Sequence, residues 1–186
     1  MEYNSTILTP SAATIAKIIT NRPHSLYQGE FCTIVLCGDI FLHEKMVSPE
    51  EINHFYITNQ KCIKTLYQQL SGQFWLVVFD NINSKLYLVN DHFGMQPCFY
   101  TQQNSTITIS DSLKKLKSIP ELSFSISEQA LFNYMYFHCI PSPNTIFEQA
   151  SKLEPGKAVI FEQQKIGSPF IATEQLLYCP SFNQKK

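Results

Sequence analysis

Apolar and polar positions follow two rhythms along this chain. Over residues 9–20, Thr9 as a cap, Pro10 in the first turn and a stripe of Ile15, Ile18 and Ile19 predict a helix, stopped by Arg22-Pro23. Phe31 to Leu36 is a continuous β-branched run and predicts a buried strand ending at Gly38. Ser48-Pro49-Glu50-Glu51 combines a serine cap, a proline at the first position and a glutamate at the third. The helix it opens carries Ile52, Phe55, Tyr56, Cys62, Ile63, Leu66, Tyr67 and Leu70 on one side, with a break near Asn59 and Gly72 as its closing glycine.

Strands then follow closely. Phe74 to Phe79 is almost wholly apolar, residues 80–84 carry turn chemistry, and Lys85 to Asn90 returns. Residues 96–101 and 105–109 make a further hairpin, followed by a short helix over 111–117. Ser125 and Glu128 are spaced as a capping box for a helix carrying Ala130, Leu131, Tyr134 and Met135. Thr145 to Gln149 reads as a helical turn, and Ala158 to Phe161 as a strand pairing with residues after Lys165. Beyond Gly167 periodicity fades, so a domain over 1–166 and a tail over 167–186 are expected. Hairpins and helices mix without strand–helix alternation, which makes the class α+β.

Composition narrows the partners. Of 186 residues 44% are apolar but only 16% charged, with a net charge of −1, so neither a nucleic-acid backbone nor an anionic membrane is an expected partner. No apolar run approaches the ~20 residues that span a bilayer, and the first residues lack the pattern of a signal peptide. The expected location is the cytoplasm. The six cysteines have no finger-type spacing, so buried free thiols are expected and neither a metal nor another cofactor. The fourteen basic residues include one arginine, Arg22, the side chain best suited to grip a carboxylate.

No phosphate-loop, dinucleotide, nucleophile-elbow or zinc-protease motif occurs. Asp91 and His92 are neighbours that point apart in an extended chain, so Asp91 is read as organising the turn through Gly94. His138 and Cys139 are equally ill placed to pair, and His43, Glu44 and His54 read as surface residues.

One resemblance covers about Phe31 to Phe161 in order. Residues 70–80 (LSGQFWLVVFD) and 86–100 (LYLVNDHFGMQPCFY) resemble the glutaminase domain of asparagine synthetases, written L-x-G-x-F-A-x-x-x-x-D and R-D-x-x-G-x-x-P-L-Y-Y. Residues 37–41 (CGDIF) resemble N-G-E-I-Y, residues 109–116 the S-E-x-K-x-L segment, residues 129–135 the A-L-x-x-Y-L helix, and residues 143–156 P-x-T-I-F-x-x-I-x-x-L-x-P-G. The resemblance implies a class II glutamine amidotransferase domain with the N-terminal-nucleophile hydrolase fold, an αββα sandwich of antiparallel sheets. Active members use an N-terminal cysteine as nucleophile with its own amine as base, an asparagine–glycine pair for the oxyanion, and an arginine and an aspartate to hold glutamine.

At those places this chain departs. Position 2 is Glu2, which is also expected to keep Met1 attached. Cys37 stands at the oxyanion asparagine, with only Gly38 retained, and Pro49 at the substrate aspartate. Arg22-Pro23 is at most a remnant of H-R-G-P-D, and no S-G-G-x-D-S loop for ATP occurs. No catalytic residue is therefore assigned, and Cys37, Gly38, Arg22 and Pro49 are the positions of a degenerate pocket. The resemblance extends to β-lactam synthetases and lasso-peptide cyclases, whose similar glutaminase domains lost activity and serve as scaffolds. The expected function is a non-catalytic scaffold or regulatory partner of a separately encoded synthetase-like protein, with self-association left open. Two other readings stand beside it. The vacated pocket binds a small molecule or peptide, or internal cleavage exposes Cys32, Ser5 or Thr6 as a new N-terminal nucleophile.

Overall fold

The computed structural model of the chain describes residues 4–11, 14–103, 105–163 and 170–177. One sheet has five strands in the order β1 (Asn4–Ser11), β2 (Thr14–Thr20), β9 (Thr106–Ser110), β8 (Phe99–Gln103) and β10 (Ser151–Lys152). The other has seven: β12 (Phe170–Leu176), β11 (Lys157–Gln163), β7 (Lys85–Asn90), β6 (Leu70–Asp80), β4 (Cys32–Leu42) and β3 (His24–Gln28), with the short β5 (Lys45–Met46) on β4.

The alternation of side chains across β4 and β6 decides the layering. Val35, Cys37, Trp75, Val77 and Phe79 face the five-stranded sheet and share a core with its Ala16, Ile18, Ile107 and Ile109. Ile34, Leu36, Ile40, Phe74, Leu76 and Val78 face the opposite way. They are covered by Ile52 and Tyr56 of α1 (Pro49–Thr58) and by Ile63, Leu66 and Tyr67 of α2 (Ile63–Gln69). Beyond the five-stranded sheet a smaller cluster joins Ile19, Ala150 and Ile119 to Leu116 of α3 (Leu113–Lys117). Both faces of the seven-stranded sheet are thus covered, which is why its central strands read as unbroken apolar runs.

Several expectations are corrected. Residues 9–20 are not a helix: β1 and β2 form an antiparallel hairpin, and β2 also pairs with β9. Spacing alone suits a helix there, but pairing on both edges satisfies the backbone of β2, and its Ile- and Thr-rich sequence is stiff at χ1 and favours strand. The β2–β9 pair is parallel, so only the seven-stranded sheet is wholly antiparallel. Gly72 does not close a helix. Residue 69 ends α2, and the chain turns directly into β6 at Leu70. Gly38 does not end β4 either, since the strand runs on to Leu42.

Ser127, not Ser125, caps α4 (Glu128–Phe137), accepting from the Ala130 N–H at 3.2 Å. An antiparallel bridge between Ile126 and Phe147 holds the chain extended one residue earlier, and Ser125 Oγ is engaged with Glu148 and Gln149 instead. The same bridge keeps 145–149 from winding into a helical turn. Part of the expected tail is structural, because β12 pairs with β11 over all seven of its residues. Residues 178–186, including Cys179, lie outside the described residues, as do Met1 and Glu2.

Other local readings appear as expected. Ser48 and Glu51 form a reciprocal capping box at α1, and the Ser48 N–H, with Lys45, holds the Glu51 carboxyl below its ordinary range. The break after Thr58 is made by Asn59, which returns to Phe55 O, and by Gln60 and Lys61 in left-handed conformation. Asp80 organises the β6–β7 turn by accepting from the backbone N–H groups of Ile82 and Asn83.

The longest ladder, β4 against β6, runs from Cys32 opposite Asp80 to Leu42 opposite Leu70. Midway, Gly38 (φ 103°) and Gly72 (φ 123°) let the strands approach closely. A Cβ on Gly38 would lie 2.1 Å from Gln73 O, and one on Gly72 2.2 Å from Asp39 O. Backbone carbonyls cannot swing aside as side-chain ends do. Gly38→Ala and Gly72→Ala are each expected to cost about 3 kcal/mol or more. Urea unfolding checks this, with Gly29→Ala, whose close neighbours are all Tyr27 side-chain atoms, as the milder control.

Candidate functional site

The site lies along the middle of β4 and β6, beside the loop over 91–98. Asp91 is fully buried, and its carboxylate is the hub of that loop. It accepts backbone N–H groups from Phe93 at 2.9 Å, from Met95 at 3.0 Å, from Phe74 at 3.3 Å and from Gln96 at 3.4 Å. Its own carbonyl accepts from Gly94 and Gly156, and Asn90 Nδ2 donates to Leu153 O. The loop is therefore tied to β6 on one side and to the turn before β11 on the other. Asp91 serves as the turn organiser expected of it, and His92 points elsewhere, its ring 4.7 Å from that of Tyr67. Phe93 and Met95 are left largely exposed.

Beside this loop is a cleft of about 450 Å³ lined by Arg22, Cys37 and Gly38 together with His24, Asp39 and Gln96. The structure thus brings together three of the four pocket positions read from the sequence. Pro49 is not among the cleft residues; it is buried as the first residue of α1. The β3–β4 hairpin sets His24 opposite Cys37, a register that the mixed polar pattern of residues 24–28 does not announce. Gln96 was missed although its position in the G-x-x-P stretch was a usable signal.

Beneath the cleft Asp111 gathers the nearby cations. Lys115 Nζ lies 2.7 Å from Asp111 Oδ1, Arg22 Nε 3.6 Å from Oδ2, and Thr20 Oγ1 donates to Oδ2 at 2.9 Å. The single arginine is thus partly committed to a carboxylate of the chain itself, while its side chain stays 42% exposed toward the cleft. Cys37 is buried, and burial pushes its thiol up to about 11, against the opposing pull of Arg22. At neutral pH it is a protonated, weak hydrogen-bond donor, suited neither to nucleophilic attack nor to oxyanion stabilisation. Gln96 Oε1 and Trp75 Nε1 are buried without a hydrogen-bond partner among the described residues.

The other candidates separate. His43 and His54 line a different, open groove of about 710 Å³ with Leu42, Val47 and Phe55. His138 takes the left-handed conformation that ends α4, and Cys139 is exposed beside it. Cys32, Cys37 and Cys98 are buried free thiols as expected, whereas Cys62 and Cys139 are exposed. Among the described residues no cluster of three His, Cys, Asp or Glu side chains could hold a metal ion, and no helix is long and apolar enough to cross a membrane.

Asp91→Ala leaves four backbone donors without their acceptor, and a loss of about 3 kcal/mol or more is expected by urea unfolding. Hydrogen exchange should show faster exchange at Met95 and Gln96. Burial lowers the His92 pKa below its ordinary 6.5, so the unfolded chain takes up that proton first. Stability from this residue is present above pH 6.5 and falls as the pH drops through the folded value. In His92→Phe, urea midpoints at pH 7.5 and pH 5 should differ less than in the parent.

The sequence profile described as a glutamine amidotransferase domain matches residues 20–170. Asparagine synthetase [glutamine-hydrolyzing] 1 of Bacillus subtilis is 31% identical over 88 residues, 47% of this chain and 14% of that protein. Asparagine synthetase [glutamine-hydrolyzing] 3 of the same organism is 23% identical over 153 residues, 74% of this chain and 24% of its own length. A putative asparagine synthetase [glutamine-hydrolyzing] 2 of Methanocaldococcus jannaschii is 24% identical over 142 residues, 71% of this chain and 28% of its own. Among solved structures, glutamine phosphoribosylpyrophosphate amidotransferase from B. subtilis, complexed with ADP and GMP, overlays with a TM-score of 0.44 at 11% identity, covering 86% of this chain and 32% of that one. The chain spans between 14 and 28% of the length of the three synthetases. It belongs to the family of glutamine amidotransferase domains and is related to the asparagine synthetases.

Proposed function

We propose that this is a non-catalytic glutaminase-like domain that acts in the cytoplasm as a scaffold or regulatory partner of a separately encoded, asparagine-synthetase-like protein forming amides at the expense of ATP. The observation that carries the reading is Cys37. The residue standing at the oxyanion asparagine is a buried thiol held protonated, in a cleft whose arginine leans on Asp111. Gly38 keeps its special backbone, but its φ of 103° serves the β4–β6 crossing as well as any site. Nucleophile, oxyanion donors and substrate clamp must converge for acyl transfer, and among the described residues the Cys37 thiol is ill suited to the oxyanion role and Arg22 is drawn toward Asp111.

Internal processing at Cys32 is disfavoured by its place: the residue is fully buried at the start of β4, opposite Asp80. A cut there would detach β1, β2 and β3, and with β2 the buried Ala16 and Ile18. A second reading has one observation in its favour. Gln96 lines the cleft, and its Oε1 is buried without a donor among the described residues, as it would be if a small amide or ammonium group normally filled the space.

Ammonia release from glutamine by the purified chain is expected to stay at the uncatalysed background, with an intact mass that includes Met1. Release well above background that is lost in Cys37→Ser or Cys32→Ser would sink the scaffold reading. Thermal unfolding with millimolar glutamine or asparagine separates the second reading, which requires a saturable rise in Tm.

A further inference from the structure

Helix α4 departs from the way the other helices bury an apolar face. Its only buried side chain is Ala130. Leu131, Phe132, Tyr134, Met135, Tyr136 and Phe137 are exposed by 46, 61, 55, 73, 71 and 56%. With Ala130 toward the domain and about 100° per residue, Phe132, Met135 and Tyr136 project farthest away. Leu131 flanks one side, about 100° from Ala130, while Tyr134 and Phe137 return to the side of Ala130 one and two turns further on. The three outermost side chains are the most exposed, and Tyr134 and Phe137 stay more than half exposed although they share the side of Ala130. The rings are organised by one another: Phe132 and Tyr136 stack within 10° of parallel, and Tyr136 meets Phe137 edge-on at 4.8 Å. Glu128, in the first turn, is the one charge on the helix.

The amount of surface is the argument for an occupant. Side chains of this size offer roughly 150–250 Å² each, so six of them, exposed by about half to three quarters, present roughly 600–800 Å². That reaches the ~800 Å² each partner contributes to a standard stable interface and exceeds the patch of ~300–600 Å² usual on a monomer. The distribution selects the shape of the occupant. Apolar groups surround most of the helix, whereas pairing with a second copy of α4 would cover one stripe of about 100° and leave the flanks in water. A concave surface covers the outer side chains, Tyr136 among them, together with the flanking Leu131.

We propose that α4 is the docking element of this domain, seated as a helix in an apolar, uncharged groove of the synthetase-like partner. This rests on the function proposed above. The groove would need polar groups only near its rim, for the hydroxyls of Tyr134 and Tyr136.

The test uses the full chain in the cells that produce it, with the photo-crosslinker p-benzoylphenylalanine in place of Phe132, Tyr136 or, as a control on another surface, the exposed Ile82. Positions 132 and 136, but not 82, are expected to crosslink to a protein carrying an ATP-dependent synthetase segment. In the purified pair, Phe132→Glu combined with Tyr136→Glu should weaken binding at least about 100-fold while the circular dichroism spectrum and Tm stay unchanged. Crosslinks to a synthetase-like protein from position 82 alone would overturn the assignment of α4 and leave the functional reading standing. Crosslinks from α4 to a second copy of the chain, to a protein without such a segment, or to nothing would overturn the proposal. An unweakened pair after the double substitution would do the same.

Discussion

Eleven residues of β4 run against eleven of β6, and that ladder is the spine on which both cores are built. It exists because two glycines, one on each strand, leave out the Cβ atoms that would strike the opposing carbonyls. Around this crossing the side chains before and after each glycine keep their alternation. Cys37 and Trp75 enter the space between the sheets, while Ile40 and Phe74 go under the helices. A side chain at either glycine would force the strands apart where both cores need them together.

The cleft inherits its character from the same spine. Cys37 immediately precedes Gly38 and faces inward, so its thiol is part of the packed core before it is part of any site. Burial outweighs the nearby Arg22 and keeps the thiol protonated. The Asp91 hub secures the opposite wall by drawing four backbone donors to one carboxylate, which fixes Gln96 at the cleft edge and leaves Phe93 and Met95 outside. Stability and cleft shape are therefore supplied by the same residues, so the architecture does not depend on the cleft performing chemistry, which is the physical basis of the scaffold role proposed above.

The proposed scaffold role calls for a surface that a partner can cover, and α4 is where this domain turns apolar side chains outward. The helix is well capped by Ser127 and ends in a left-handed residue, His138, so it is a formed element and not a frayed end. Its packing on the domain is limited to Ala130, while the chain on either side is anchored by the Ile126–Phe147 bridge and by the backbone bond from Lys152 to Pro143. A rigidly rooted helix with its side chains unspent is already organised for binding, which limits the entropy lost on association.

Much of the local structure was legible in the sequence. The capping box at Ser48, the break at Asn59, the Asp80 turn and the buried strand from Phe74 to Phe79 depend on neighbours within a few residues, and short-range patterns report such interactions directly. Sequence motifs also pointed to the glutaminase-like architecture and placed Arg22, Cys37 and Gly38 in one pocket. What failed were the features settled by distant partners. Residues 14–20 have helical spacing but become strand because β9, some ninety residues away, supplies a parallel edge. Gly72 looks like a helix terminator but serves to admit Asp39. Ser125 has capping spacing but is held by Glu148 and Gln149. The sequence alone singled out Arg22, Cys37, Gly38 and Pro49 as pocket positions and showed that Arg22 is the one arginine available. Tertiary structure decided that Asp111 claims the arginine, that the Cys37 thiol is buried and that the apolar side of α4 points outward, because burial and charge pairing arise only when strands remote in the chain are brought together.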